Sequence, residues 1–169
     1  MMFRTMRRSR QVLPEKEAVE ILERASSGVL ALLGDEGYPY AVPLSYVYHD
    51  GKLYFHGAKN GHKMDSIRRC PKASFCVIEQ DAVKPEEYTT YFKSVIVFGI
   101  IRILEQPEEM RTAALLLAKK YDSRGSDAGQ KKEIDREWDR LCMMEFSIEH
   151  MSGKEAVELT RMRKYSGRD

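Results

Sequence analysis

Residues 37–71 read GYPYAVPLSYVYHDGKLYFHGAKNGHKMDSIRRCP, and their order decides the fold. Tyr40–Tyr48 is made of strand-forming residues, and Leu53–His56 runs back. Between them, His49-Asp50-Gly51-Lys52 holds the Asp-Gly pair that favours a tight turn. The pattern predicts an antiparallel hairpin, with one anomaly. Pro43 lies inside the first strand, where it removes a ladder hydrogen bond, so the strand is an edge, carries a bulge, or has a ligand in place of a neighbour. After His56, a loop with Gly57 and Gly61 brings Lys59, His62 and Lys63 ahead of a short helix, Met64–Arg69, which stops before Cys70-Pro71.

Working outward, Pro14–Ala25 reads as a helix, with Glu15 and Glu17 at its positive end and Ala18, Ile21, Leu22 and Ala25 as its apolar stripe. Val29–Leu33 is a strand and Asp35-Glu36-Gly37 a turn. Beyond the opening stretch, Ala73–Glu79 is a strand and Gln80–Glu87 a polar loop containing Pro85. Tyr88–Leu104 makes one bent strand or two, with Gly99 at the bend, and Glu108–Tyr121 a helix. Ser123–Gln130 reads as a mobile loop, Lys131–Arg140 as a short helix carrying Trp138, Leu141–Ile148 as a strand, and Ala156–Thr160 as a last one. The strand signals come too close together for βαβ units. A small closed barrel of six or seven antiparallel strands, with three or four helices at its ends, hides the strand edges best.

The 169 residues suit one domain spanning 1–169, with residues 1–13 as a basic N-terminal arm. A net charge of +2 gives no general case for nucleic acid, and the basic residues near both ends read as solvated termini. The longest apolar run, Ser94–Ile101, is strand-sized, well short of the ~20 residues that span a bilayer. No apolar segment follows the basic start, so no secretory signal is expected. Cys70, Cys76 and Cys142 form an odd set without a CxxC pair, which argues against disulfides and structural zinc and for a reducing cytoplasm.

A strand, a glycine loop and a helix start aim backbone N–H groups and a positive helix end at one spot, a geometry that suits a phosphate. Lys63 can add a charge-assisted bond and His62 a second. The spacing matches neither GxxxxGK[ST] nor GxGxxG. A metal site fails for want of ligands: His56 and His62 have no HExxH, cysteine pair or carboxylate cluster to complete them. On the residues alone, an anion cradle and a plain polar loop with one buried histidine both stand. The cysteines read as small buried hydrophobes, Ser94 sits in a strand rather than on a nucleophile elbow, and Trp138 suits a core or an interface.

Three blocks carry a resemblance: residues 37–71, TTYFKSVIVFGIIRILE (89–105) and EFSIEHMSGKEAVEL (145–159). Together with Met6-Arg7-Arg8, they resemble the Nim-type nitroimidazole-resistance proteins of the pyridoxamine 5′-phosphate oxidase-like group. The resemblance implies a mainly β fold, a six-stranded antiparallel split barrel of Greek-key type, forming a cytoplasmic homodimer with FMN held between the chains. It places Pro43, Leu44, Ser45 and Tyr46 beside the isoalloxazine ring, and His56, Gly57 and Ala58 around the flavin. His62 and Lys63 fall to the phosphate, Lys59 lies among the cofactor-binding residues, and Ser94 and Val95 complete the cradle. His56 matches the histidine to which the family's activity is tied. The implied chemistry is flavin redox, with a nitro-aromatic accepting electrons. A non-catalytic module binding flavin or haem in the same groove is the alternative.

Overall fold

In the computed structural model, which describes residues 3–166, Asp50 (φ 48°) and Gly51 (φ 74°) both take the positive φ of a primed hairpin turn. The turn joins β3 (Val47–His49) to β4 (Lys52–Gly57). The other strands are β1 (Ser27–Leu33), β2 (Pro39–Ser45), β5 (Lys72–Lys84), β6 (Thr89–Ile103) and β7 (Cys142–Glu155). All pairings are antiparallel, in the order β2-β1-β5-β6-β7-β4-β3.

The expected closed barrel, and the six strands that the resemblance implies, are therefore corrected. The sheet has seven strands, and its ladder is not closed, because β2 and β3 at its two ends do not pair. One residue, Tyr46, separates β2 from β3 along the chain, so the extended segment predicted over Tyr40–Tyr48 begins on one edge of the sheet and finishes on the other. The interruption has a physical cause. Tyr46 N–H donates to the Tyr121 hydroxyl (2.9 Å), and that hydroxyl's proton is directed at the Tyr46 carbonyl (2.8 Å) and the Ser26 carbonyl. A side chain thus supplies what a neighbouring strand would supply.

The sheet still curls around one core. Phe75 of β5 meets Phe55 of β4 edge to face at 5.2 Å, although β6 and β7 separate their strands in the sheet. Tyr46, fully buried, packs against Phe75 at 4.9 Å and donates its hydroxyl to the Leu22 carbonyl (2.7 Å). Leu22 belongs to α1 (Glu15–Arg24), whose buried face of Ala18, Ile21 and Leu22 plugs the core. Met64 and Ile67 of α2 (His62–Arg69) do the same. A second apolar cluster forms outside the sheet, where Ala113, Ala114 and Leu117 of α3 (Pro107–Tyr121) and Ile134 of α4 (Asp127–Glu137) share a cluster with Met143 of β7.

Several boundaries differ from the sequence reading, while the bend expected at Gly99 is met by a bulge. The polar segment 80–87 is mostly ladder: β5 pairs β6 as far as Lys84↔Thr89, leaving Pro85–Glu87 as a single turn, because backbone pairing does not need apolar side chains there. β6 is one strand, bulged at Phe98/Gly99, where a Cβ on Gly99 would lie 2.0 Å from the Ser147 carbonyl oxygen. α4 begins within the expected loop 123–130, its Ser126 hydroxyl accepting from Gly129 N–H (3.1 Å). The last strand is replaced by α5 (Val157–Ser166), since the buried Ala156 and Thr160 are one helical turn apart.

Glu145 of β7 is buried and accepts from Arg102 Nε (2.9 Å), Lys52 Nζ (3.0 Å) and the Tyr54 hydroxyl (3.2 Å). Burial alone would raise its pKa, but the bonds from Arg102 and Lys52 outweigh it and hold the carboxyl below the ordinary glutamate range. A depressed folded-state pKa gives stability that is present above the unfolded value of about 4.3 and is lost as pH falls through the folded one. Wild type is therefore expected to exceed Glu145→Gln in unfolding free energy at neutral pH, with the gap narrowing as the solution is acidified below about pH 4. Denaturant titrations across that range measure it. Tyr121→Phe, which strips the Tyr46 N–H of its acceptor, is expected to cost about 1–3 kcal/mol and several degrees of melting temperature.

Candidate functional site

The crossing at Tyr46 opens a split. β3 pairs β4 through Val47↔Tyr54, and the same register continued would set Ser45 against His56, Leu44 against Gly57 and Pro43 against Ala58. Instead β2 turns away to pair β1, with Pro43 opposite Val29 and Ser45 opposite Ser27. Two lips result. Pro43, Leu44 and Ser45 form one, His56, Gly57 and Ala58 the other, and the buried Tyr46 is the apex where they meet. Proline is tolerated in β2 because that strand is an edge.

The lower end of the split is closed by His62. Its ring stacks on Tyr40 of β2, with centroids 4.0 Å apart, and its Nε2 lies 3.5 Å from Asp35 Oδ2. Arg69 Nη1 also donates to Asp35 (2.9 Å), and this bond first, with the charges of His62 and Arg69, holds the Asp35 carboxyl below its usual range. Lys63 turns the other way. A Cβ built on Gly57 would lie 2.9 Å from Lys63 Nζ, so the absence of a side chain at 57 is what lets the ammonium fold against β4. Lys63 is half-buried, its pKa is lowered by that burial, and among the described residues its ammonium forms no ion pair or hydrogen bond.

The helix behind it is open to an anion. Gly61 (φ 113°) is the N-cap of α2, and no side chain caps the first-turn N–H groups. Cys142, opposite Gly57 on β7, lies among cations: burial pushes its thiol up, while Arg68, Lys63 and Lys59 pull it down. Lys59 is exposed, and its carbonyl accepts from Arg68 (3.4 Å).

Pro43, Leu44 and Ser45 thus face His56, Gly57 and Ala58 across one split with Tyr46 at its apex, and Lys63 lies against Gly57. The structure does not bring His62 and Lys63 to one point, nor Ser94 and Val95 to the split of their own chain. Val95 is wholly buried in the core, and half-buried Ser94 pairs with Ile78 and Lys154, separated from β2 by β1 and β5. Sequence reasoning missed Tyr40, Tyr121 and Cys142. Only long-range register reveals them, and the one local hint was the acidic turn at Asp35 preceding Tyr40.

His56 also faces a second space, a cleft of about 420 Å³ between α3, α4, β4 and β7. Its walls include Ala114, Leu117, Ala118, Ile134 and Met143.

Comparison with known proteins agrees with this architecture. The family model for pyridoxamine 5′-phosphate oxidase matches residues 14–155, and the chain belongs to that family. No curated protein matches it. Among solved structures, it resembles the conserved hypothetical protein Rv2991 from Mycobacterium tuberculosis, with a TM-score of 0.77, 20% identity, and 89% of this chain and 90% of that one covered. A Bacteroides thetaiotaomicron protein, provisionally described as a 5-nitroimidazole antibiotic resistance protein, gives a TM-score of 0.71 at 20% identity over 85% of this chain and 86% of its own. An FAD-binding protein from Mesorhizobium loti gives 0.59 at 26% identity over 86% and 97%.

Gly57→Ala tests the cradle, because the new methyl meets only movable side-chain ends, those of Lys63 and Met144. The melting temperature is expected to stay within about 3 °C of wild type, a shift of about 1 kcal/mol or less. Affinity for inorganic phosphate or a phosphate-bearing ligand is expected to fall several-fold as the ammonium is displaced, read by calorimetric titration.

Proposed function

We propose that this chain is an FMN-binding flavoprotein acting as an oxidoreductase of the nitroreductase type, with FMN in the split and a homodimer as the working unit. The observation that carries the reading is Lys63: a half-buried ammonium without an anionic partner among the described residues, set between the uncapped start of α2 and a glycine on the lip. A desolvated cation beside open N–H groups is what a phosphate monoester needs, and it fits FMN with one cradle. His62 does not fit the phosphate role, since it is held by Tyr40 and Asp35. Its work is to fix the lower end of the groove.

Bound flavin supplies the electron transfer, and the chain supplies the rest. Pro43, Leu44 and Ser45 line one side of the ring with edge-strand backbone, and Tyr46 sets how far the lips part. His56, exposed on the opposite lip, holds or supplies a proton at the edge of a reacting nitro-aromatic. The α2 N–H groups, Lys59 and Lys63 hold the phosphate.

The homodimer is supported by the outer face of the sheet. Val29, Cys76 and Ile96 share one row across β1, β5 and β6, beside Pro43 of the lip. Val29, Ile78, Ile96 and Phe98 are all more than a third exposed, a run of apolar surface that marks an interaction site. A second copy seated there would bring its Ser94 toward the split of the first. The first copy does the same in return, as a two-fold interface requires.

The visible spectrum of the freshly purified protein is the direct test. Flavin bands are expected, a Soret band would support the haem alternative, and colourless protein that FMN neither binds nor stabilises would overturn the reading. Lys63→Met is expected to weaken FMN binding by about 10- to 150-fold, the equivalent of a charge-assisted bond of about 1.5–3 kcal/mol. Ile96→Glu is expected to give a monomer in light scattering, with FMN affinity falling in step.

A further inference from the structure

The basic arm that precedes α1 is held along β7: Val12 bridges Lys154, and Leu13 N–H donates to the Gly153 carbonyl (3.0 Å). Just before this point the arm makes a single helical turn, Ser9–Gln11, which packs against α5. Beside the turn lies a pocket of about 390 Å³ lined by Arg7, Arg8, Ser9, Arg10, Gln11 and Val157. Among the described residues, the three guanidiniums form no ion pair. Exposed arginines alone are ordinary solvated surface, but Gln11 is different. It is only 5% exposed, and its Oε1 is enclosed with no hydrogen-bond partner among the described residues. A buried acceptor left in that state is unfavourable unless a ligand donates to it. Val157 opens α5, so the positive end of that helix borders the pocket. The carboxylates flanking Val157 are engaged elsewhere: Glu158 accepts from the Thr89 hydroxyl (3.4 Å), and Glu155 lies 2.7 Å from Arg163.

An occupant must bring acceptors for the guanidiniums and a donor for Gln11. Hydrogen phosphate brings both, in oxygens that suit the arginine fork and in one P–O–H. Sulfate has the same shape and charge but no proton to donate. We propose that this pocket binds the hydrogen-phosphate group of inorganic phosphate or of a phosphate monoester. The P–O–H donates to Gln11 Oε1, and the remaining oxygens accept from Arg7, Arg8 and Arg10. A ligand so held ties the N-terminal arm to α5. The pocket is separate from the cradle at Lys63, and its assignment does not rest on the flavin reading.

Inorganic phosphate is the probe, titrated calorimetrically into full-length Lys63→Met so that the cradle does not contribute. Saturable binding is expected, with sulfate at least about tenfold weaker, a difference of about 1.4 kcal/mol. Adding Arg8→Met or Gln11→Met is expected to weaken phosphate about tenfold or more. Without phosphate, Gln11→Met is expected to melt no lower than its parent, because an apolar side chain of similar size replaces a buried polar group that has no partner. No saturable binding, sulfate as tight as phosphate, unchanged affinity in both added variants, or a lower melting temperature for Gln11→Met overturns the proposal. Arg8→Met in the otherwise wild-type chain is expected to keep FMN affinity within about twofold; a fall matching that for phosphate would give the pocket to the flavin and overturn it too. If FMN fails to bind wild type while phosphate follows the expected pattern, the flavin reading falls and this assignment stands. Cosedimentation with phosphatidylcholine vesicles containing phosphatidic acid, lost in Arg8→Met, would identify the monoester as a lipid headgroup, and its absence a soluble one.

Discussion

The peptide groups of Tyr46 must be hydrogen-bonded although the chain there passes between the two edges of the sheet. Tyr121 meets that need from the last turn of α3, and Lys120 beside it donates to the Ala25 carbonyl at 2.6 Å while its ammonium lies 4.3 Å from the Tyr46 ring centre. With the crossing pinned, β2 cannot follow β4, and the barrel has an opening rather than a seam. The lips and the aromatic core at Tyr46, Phe55 and Phe75 follow from this one arrangement.

The opening is asymmetric in charge. At one side of its base, Asp35 is shared by Arg69 and His62, so the charges of that corner are paired. At the other, Lys63 is partly desolvated and unpaired among the described residues, with Lys59 and Arg68 near the same cysteine. Neighbouring residues of one short helix thus have opposite tasks: His62 ties α2 to β2, and Lys63 leaves an unanswered positive charge against β4. Burying a cation without a partner is unfavourable unless something anionic visits.

Local chemistry made much of this legible. Asp50-Gly51 fixed a hairpin, the apolar spacing of Ala18, Ile21 and Leu22 fixed a helix, and Gly99 marked a bend that is a bulge. Pro43 pointed to an edge, and the glycines around Lys63 to a close approach. What stayed hidden depends on contacts distant in sequence. Nothing near Tyr46 announces that a hydroxyl 75 residues away stands in for a strand. The segment 80–87 looked like a loop because its side chains are polar, but its backbone is held by β6. That His62 meets Tyr40 while Lys63 lies against Gly57 was also hidden, because adjacent helical residues point about 100° apart and a linear motif does not display that angle.

The same crossing has a bearing on how the chain reaches this state. The β5–β6 hairpin pairs residues close in sequence, whereas β4 must find β7 with His56 opposite Met143, and β1 must find β5 across the whole hairpin and α2. The chain between β4 and β7 makes the longest loop to close, and closing it seats the β3–β4 hairpin beside β7. Until that happens the two lips do not exist. A ligand that needs both lips therefore binds the folded chain alone and stabilises it by mass action.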